Sequence, residues 1–260
     1  GGNVSNHFEV IVIGSGPAGY VCAIRCAQLG LSTAIVEKNT DASAKPVLGG
    51  TCLNVGCIPS KALLDSSQRY ADTQAHLAEH GIGVNDVTLN ISEMMARKEK
   101  IVSQLTGGVS GLLKHNKITV LSGAGQLMAG RQVELTDADG QVALYSADNV
   151  VLASGSEPAD IPPAPVDQDR VVDSTGALCF DAVPARLGVI GAGVIGLELG
   201  SVYARLGADV SVVEFLDTIT PGMDAEVQKS FKRILEKQGL KFVLGAAVQG
   251  VSTDKTKAKV

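Results

Sequence analysis

Two stretches of the chain carry the same order of apolar and polar positions. Val10-Ile11-Val12-Ile13 and Leu187-Gly188-Val189-Ile190 are short, apolar and rich in β-branched residues, as strands buried on both faces require. A glycine turn follows each. Next comes a segment of helical spacing that ends at Leu29-Gly30 in the first copy and at Leu206-Gly207 in the second, where glycine suits a helix C-terminal cap. A second strand closes each unit, at residues 33–37 and 210–214. The copies span 8–38 and 186–215 at an offset of 177 positions, so that Ile13, Ala27, Val36 and Glu37 recur as Ile190, Ala204, Val213 and Glu214. Strand, helix, strand, twice over, predicts two βαβ units with parallel strands, and so an α/β protein.

Between the copies, residues 60–80 and 91–116 read as helices. Residues 118–121, 132–136, 142–146 and 149–153 read as strands, with a turn at Asp137-Ala138-Asp139-Gly140 that makes the middle pair an antiparallel meander. Residues 157–169 hold Pro158, Pro162, Pro163 and Pro165 and are expected to be irregular. They mark a boundary between domains at 1–156 and 157–260. After the second copy come a helix at 224–238 and strands at 241–244 and 247–251. Another strand opens as the chain reaches Val260, so the second sheet is expected to be short and the sequence incomplete.

Composition narrows the class. With 260 residues, 45% of them hydrophobic, the chain can bury a core without a disulfide framework or a structural metal. No Trp and 3% aromatic residues make that core aliphatic. Thirty glycines, roughly 12% against an average of about 7%, show no Gly-X-Y period and sit beside apolar runs, as tight turns require. The net charge of −5 comes from interspersed signs, and Lys255, Lys257 and Lys259 read as a solvated tail, so a nucleic-acid partner is not expected. No apolar run approaches the ~18–20 residues of a membrane span, and no basic-then-apolar leader opens the chain. Five cysteines, an odd number, point to a reducing compartment and a cytoplasmic protein.

Gly14-Ser15-Gly16-Pro17-Ala18-Gly19 follows a predicted strand, opens a predicted helix, and precedes the acidic Glu37 by 23 positions. That context turns a weak glycine string into a dinucleotide fingerprint. The first glycine turns the chain, the second admits a pyrophosphate, and the third lets helix and strand pack. The free N–H groups of the helix N-terminus face the phosphates, and Glu37 can accept from a ribose. Gly191-Ala192-Gly193-Val194-Ile195-Gly196 repeats the pattern, with Glu214 at the same spacing. A carboxylate at 214 disfavours a 2′-phosphate, and no Arg occurs in the ten positions after it, so NAD is expected over NADP.

Cys52 and Cys57 lie in Gly49-Gly50-Thr51-Cys52-Leu53-Asn54-Val55-Gly56-Cys57, which is read as a loop entering a helix. The spacing is wrong for a zinc pair, so redox work or a structural disulfide remains. A helix N-terminus lowers a thiol by about one pKa unit, so further activation needs a neighbour, and Lys61 is the local cation. Cys22 and Cys26 read as packing residues, and Cys179 as isolated and buried. His76 and His80 lack a third ligand and read as a solvated face; His7 and His115 have no context. No metal is expected.

The whole chain resembles the pyridine nucleotide-disulfide oxidoreductase family. The likeness rests on both fingerprints, GGTCLNVGCIPSKALL at 49–64, LTGGVSGLL at 105–113, NVVLASGSEP at 149–158 and PAPVDQDRVVDSTGAL at 163–178. Within the family it points to the branch acting on dihydrolipoamide. The resemblance implies two Rossmann-like dinucleotide-binding domains in a three-layer α/β fold. The first would hold FAD through Gly14, Gly16, Gly19, Glu37, Lys38, Gly50 and Thr51, with Lys61 beside the isoalloxazine and Gly125, Ser154 and Gly155 near the cofactor. The second would hold NAD through Gly191, Gly193, Gly196 and Glu214, with Val248 near the adenine. Cys52 would exchange with dihydrolipoamide, Cys57 would pass electrons inward to FAD, and Glu198 would meet Lys61.

The implied partners are lipoyl domains of a 2-oxo acid dehydrogenase or glycine cleavage complex, with a homodimer for the full-length protein. Relatives also carry a His–Glu acid/base from an interface domain, and none of the four histidines here sits in such a setting. The chain alone is therefore expected to turn over poorly. The competing readings are a disulfide reductase acting on glutathione or mercuric ion, and a dinucleotide-binding fragment without catalysis.

Overall fold

A computed structural model describes residues 6–75, 77–254 and 257–260; His76 and Lys255 lie outside the described residues. The chain divides into two compact units. One comprises the chain up to Ile58 together with Lys100–Glu157, the other Pro59–Glu99 together with Pro158–Val260.

In the first unit, β1 (His7–Ile13), α1 (Pro17–Gln28) and β2 (Thr33–Glu37) form the expected βαβ. The short α2 (Gly50–Val55) precedes α3 (Cys57–Ala75), which leads into the second unit, and α4 (Ile91–His115) returns from it. Then come β3 (Thr119–Ser122), β4 (Ala124–Met128), β5 (Gln132–Thr136) and β6 (Val142–Leu152). The sheet order is β3-β2-β1-β6-β5-β4. β3, β2, β1 and β6 run parallel, while β4, β5 and β6 form an antiparallel meander.

β1 is apolar on both faces because both are covered. Ile11, Ile13 and Val36 pack with Val133 and Leu135 of the meander. Val10, Val12 and Ile35 pack with Ala23 of α1 and Val109 and Leu113 of α4. The alternation of strand side chains thus divides two aliphatic layers on either side of one sheet.

The predicted strands 142–146 and 149–153 are one strand, β6. Its first half pairs with β5 and its second with β1, and Ser146 belongs to both ladders, opposite Gln132 and His7. The polar Asp148-Asn149 interrupts the apolar pattern without ending the strand. β4 was not expected, since its Gly125 and Gln126 have low strand propensity; pairing with β5 from Ala124↔Thr136 to Met128↔Gln132 holds it extended. The predicted helix 60–80 begins earlier, at Cys57, and ends at Ala75 before a 3₁₀ turn, Leu77–His80.

The second unit contains α5 (Ser174–Ala177), β7 (Arg186–Ile190), α6 (Val194–Arg205), β8 (Asp209–Val213), α7 (Ala225–Lys237) and β9 (Lys241–Val243). β7, β8 and β9 form a parallel sheet. Leu197, Val202, Tyr203, Val210, Val212 and Leu235 build its core. Asp224 caps α7 by accepting from the N–H groups of Glu226 and Val227. Residues 157–169 contain no helix or strand.

The expected strand at 247–251 is absent. Single bonds tie this part of the chain down, from Gly245 N–H to Leu216 O, Ala246 N–H to Glu214 O, and Val251 N–H to Pro163 O. The extended chain resumes as β10 (Ser252–Thr253), paired antiparallel with β11 (Ala258–Lys259). Among the described residues no helix is long and apolar enough to cross a membrane, and no three His, Cys, Asp or Glu side chains gather as metal ligands would.

Candidate functional site

The two glycine turns are built alike. Gly14 and Gly191 take positive φ, +108° and +99°, and their N–H groups donate to Val36 O and Val213 O at the end of the neighbouring strand. A Cβ on Gly19 would lie 1.8 Å from Gly14 O, and one on Gly196 would lie 2.7 Å from Gly191 O, so helix and turn meet only without side chains there. The middle glycines differ. A Cβ on Gly16 would meet only Gly50 Cα at 3.7 Å, and one on Gly193 meets nothing within 4 Å. The surrounding protein does not demand glycine at either place, and a ligand lying against the backbone would. Gly16 and Gly193 are the N-caps of α1 and α6, with no side-chain cap and no acid in the first turn. Two helix N-termini thereby present N–H groups and a partial positive charge beside an open cradle. These residues fit a dinucleotide pyrophosphate.

Each acid at the end of the second strand is buried and fixed. Glu37 accepts from the Ser15 hydroxyl and from the Asn39 N–H at 2.8 Å. Glu214 accepts from the Ala192 N–H at 2.6 Å and the Leu216 N–H at 2.8 Å. Both carboxylates are anchored to their own glycine turn. Ser15 carries part of this geometry and the sequence reading passed over it; the signal was a hydroxyl at the second turn position opposite an acid.

Other expected residues take varied places. Lys38 reaches Glu157 at 2.8 Å, which holds its ammonium above the ordinary lysine range. Gly50 has φ +60°, and a Cβ there would lie 2.6 Å from Gly16 Cα. The Thr51 hydroxyl donates to Ser156 O at 3.3 Å. Ser154 and Gly155 follow Ala153, whose carbonyl oxygen lies where a Cβ on Gly14 would fall. Gly125 sits in β4 with Val36 Cγ1 3.0 Å from its Cβ position, so strand packing by itself accounts for glycine there. Val248 is half-buried, two residues past the bond from Ala246 to Glu214.

Cys52 lies in α2 rather than in a loop, and Cys57 opens α3. Gly56 breaks the chain between them. A Cβ on Gly56 would lie 3.2 Å from Cys52 Cα and 2.9 Å from Thr51 O, so the end of α2 closes this tightly only with glycine there. Cys52 is half-buried and Cys57 exposed. In the second unit, Glu198 of α6 accepts from Lys61 Nζ at 2.6 and 2.8 Å and from Ser60 Oγ at 2.6 Å. Lys61 and Glu198 keep 58% and 28% of their side-chain surfaces open, so the pair serves position more than stability.

Cys22 and Cys26 pack half-buried against the layer beneath α1, as expected. Cys179 is exposed, not buried: the chain leaves α5 before reaching it, and Lys98 Nζ lies 3.8 Å from its sulfur. His7, without context in the sequence, meets Ser146 Oγ at 2.8 Å and Asp148 at 3.4 Å across the β1–β6 pair.

Comparison with known proteins places this geometry. Dihydrolipoyl dehydrogenase of Cupriavidus necator is 49% identical over 97% of the chain and 53% of its own length. The mitochondrial dihydrolipoyl dehydrogenase of Pisum sativum is 46% identical over 96% of the chain and 48% of its own length. The crystal structure of LpdA from Mycobacterium tuberculosis superposes with a TM-score of 0.83 at 25% identity, over 98% of this chain and 54% of that one. The chain thus spans about half the length of the curated relatives it matches. Residues 8–260 match the pyridine nucleotide-disulphide oxidoreductase family, and the chain belongs to it.

Proposed function

We propose that this chain is the FAD- and NAD-binding part of a dihydrolipoyl dehydrogenase, oxidising dihydrolipoamide with NAD as acceptor. Residues 1–156 are assigned to FAD and the redox cysteines, and residues 157–260 to NAD. The observation that carries the reading is the Gly56 break, which lies against Cys52 Cα and separates Cys52 in α2 from Cys57 at the head of α3, in a chain that also holds two dinucleotide cradles. Relatives bearing this name share 46–49% of its residues.

The residues then act as follows. The N–H groups of α1 hold a pyrophosphate over Gly16, Glu37 takes the ribose, and Lys38, Gly50, Thr51, Gly125, Ser154 and Gly155 border the same cofactor. The N–H groups of α6, with Gly191, Gly193, Gly196, Glu214 and Val248, hold the nicotinamide dinucleotide. A lipoyl thiolate attacks Cys52 of an oxidised Cys52–Cys57 pair, and Cys57 leaves as thiolate. The second lipoyl thiol then displaces Cys52, which leaves a lipoyl disulfide and a reduced cysteine pair. FAD, when bound, supplies the two-electron relay from that pair to NAD. Lys61, four positions after Cys57 on α3, has its ammonium held by Glu198. Lipoyl domains of a 2-oxo acid dehydrogenase or glycine cleavage complex deliver the substrate, and the full-length protein is assigned as a homodimer.

The test is a reductive titration of the chain loaded with FAD. One equivalent of NADH should reduce it and produce the long-wavelength thiolate–flavin band, and NADPH should do so far more slowly. Loss of that band on Cys57→Ser is expected. A chain that retains no flavin, or one that prefers NADPH, would overturn the assignment.

A further inference from the structure

Helix α1 carries two cysteines that the proposed reaction leaves unused. Cys22 and Cys26 stand at i and i+4, where side chains are neighbours with Cβ atoms about 5–6 Å apart. Both are half-buried against the aliphatic layer that holds Val10, Val12 and Ile35, and both keep part of their surface open. The two thiols feel one another: burial raises Cys22 above the ordinary thiol range, and the charge and hydrogen bond of Cys26 raise it further. Among the described residues no third His, Cys, Asp or Glu joins them, so a tetrahedral zinc site lacks its ligands.

Helix geometry decides what such a pair can do. A direct disulfide needs Cβ atoms about 3.5–4.5 Å apart, closer than a regular helix holds them. A centre inserted between the sulfurs lengthens the bridge and removes that conflict. Soft, thiophilic centres that bind two thiols are the chemical class that fits. We propose that Cys22 and Cys26 form a second dithiol site, which captures trivalent arsenicals independently of Cys52 and Cys57. The step is a condensation of an organoarsenous acid, R–As(OH)₂, with two thiols. Two As–O and two S–H bonds break, two As–S and two O–H bonds form, and two waters leave. Arsenic stays trivalent and no oxidant is consumed. The thiol protons depart with the oxygen, so capture does not require a preformed thiolate.

The experiment uses the 260-residue chain carrying Cys52→Ser and Cys57→Ser, treated with phenylarsine oxide and washed with glutathione. One phenylarsenic group per chain should survive the wash, because a single thiol such as Cys179 binds too weakly to resist it, and dimercaptopropanol should release the group. Adding Cys22→Ser or Cys26→Ser should abolish retention, with circular dichroism reporting that the variant folds. A second measurement needs no change in the helix: bound arsenical should protect both Cys22 and Cys26 from iodoacetamide, as read by peptide mass. No retained arsenical, retention that survives loss of Cys22, or full alkylation of both cysteines would each overturn the proposal.

Discussion

Ser15 and Ala192 occupy one place in the two glycine turns, and they fix their acids by different means. Ser15 donates its hydroxyl to Glu37, whereas Ala192 donates its backbone N–H to Glu214. Only the first arrangement can be removed by mutation without touching the backbone. Glu37 is 4% exposed, so loss of a donor leaves a buried carboxylate short of one partner, worth about 1–3 kcal/mol. Ser15→Ala should therefore weaken FAD binding by roughly tenfold or more, as read by quenching of flavin fluorescence, while NADH affinity stays at the parent value. Equal FAD affinity in parent and variant would show that Ser15 does not position Glu37. The acids were legible from spacing alone, since each stands 23 positions after its first glycine. The hydroxyl was not, because the fingerprint treats its position as free.

At the level of elements, the two helix N-termini make a sharper comparison than either alone. Gly14 is demanded by the fold: φ is +108°, and a Cβ would lie 2.0 Å from Ala153 O. Gly193 is not: its φ is −73° and its Cβ position is open. Gly14→Ala should lower stability by more than about 2 kcal/mol through strain and a backbone shift. Gly193→Ala should change it by less than about 1 kcal/mol and still abolish NADH binding. Thermal melts and NADH titration of both variants separate the effects; a Gly193→Ala chain that binds NADH normally would refute the cradle. The βαβ elements were readable because local apolar runs and glycine turns determine them. Elements that depend on distant pairing were not. β4 exists only through β5, and β6 is continuous only because β1 and β5 share it. The Cys52 segment read as a loop because glycine dominates it, yet the chain between Gly50 and Val55 closes one helical turn before Gly56 breaks it.

For the chain as a whole, two neutral acids with raised pKa contribute to the response to alkali. Burial raises the Tyr203 phenol, with the nearby Cys179 as the second cause, and burial also raises Cys22. In both cases the fold prefers the protonated form. Their contribution is complete below the ordinary values of 9.0 for Cys22 and 10.0 for Tyr203. As pH rises past those values the unfolded chain loses protons that the folded chain keeps, and the contribution is gone once the folded groups ionise too. One such proton is worth about 1.4 kcal/mol per pH unit. At the acid end the sign reverses. Asp167 accepts from the N–H groups of Asp169, Arg170 and Val171, and its pKa is lowered, so what it adds is present above the ordinary 3.8 and lost as pH falls below it. The melting temperature should therefore fall steadily between pH 9 and 11. Tyr203→Phe should start lower at pH 8, having lost the hydrogen bond to Ala177 O, and then fall less steeply above pH 10. A parent melting temperature that holds constant to pH 11, or a variant with the parent's slope, would show that Tyr203 is not held neutral by the fold.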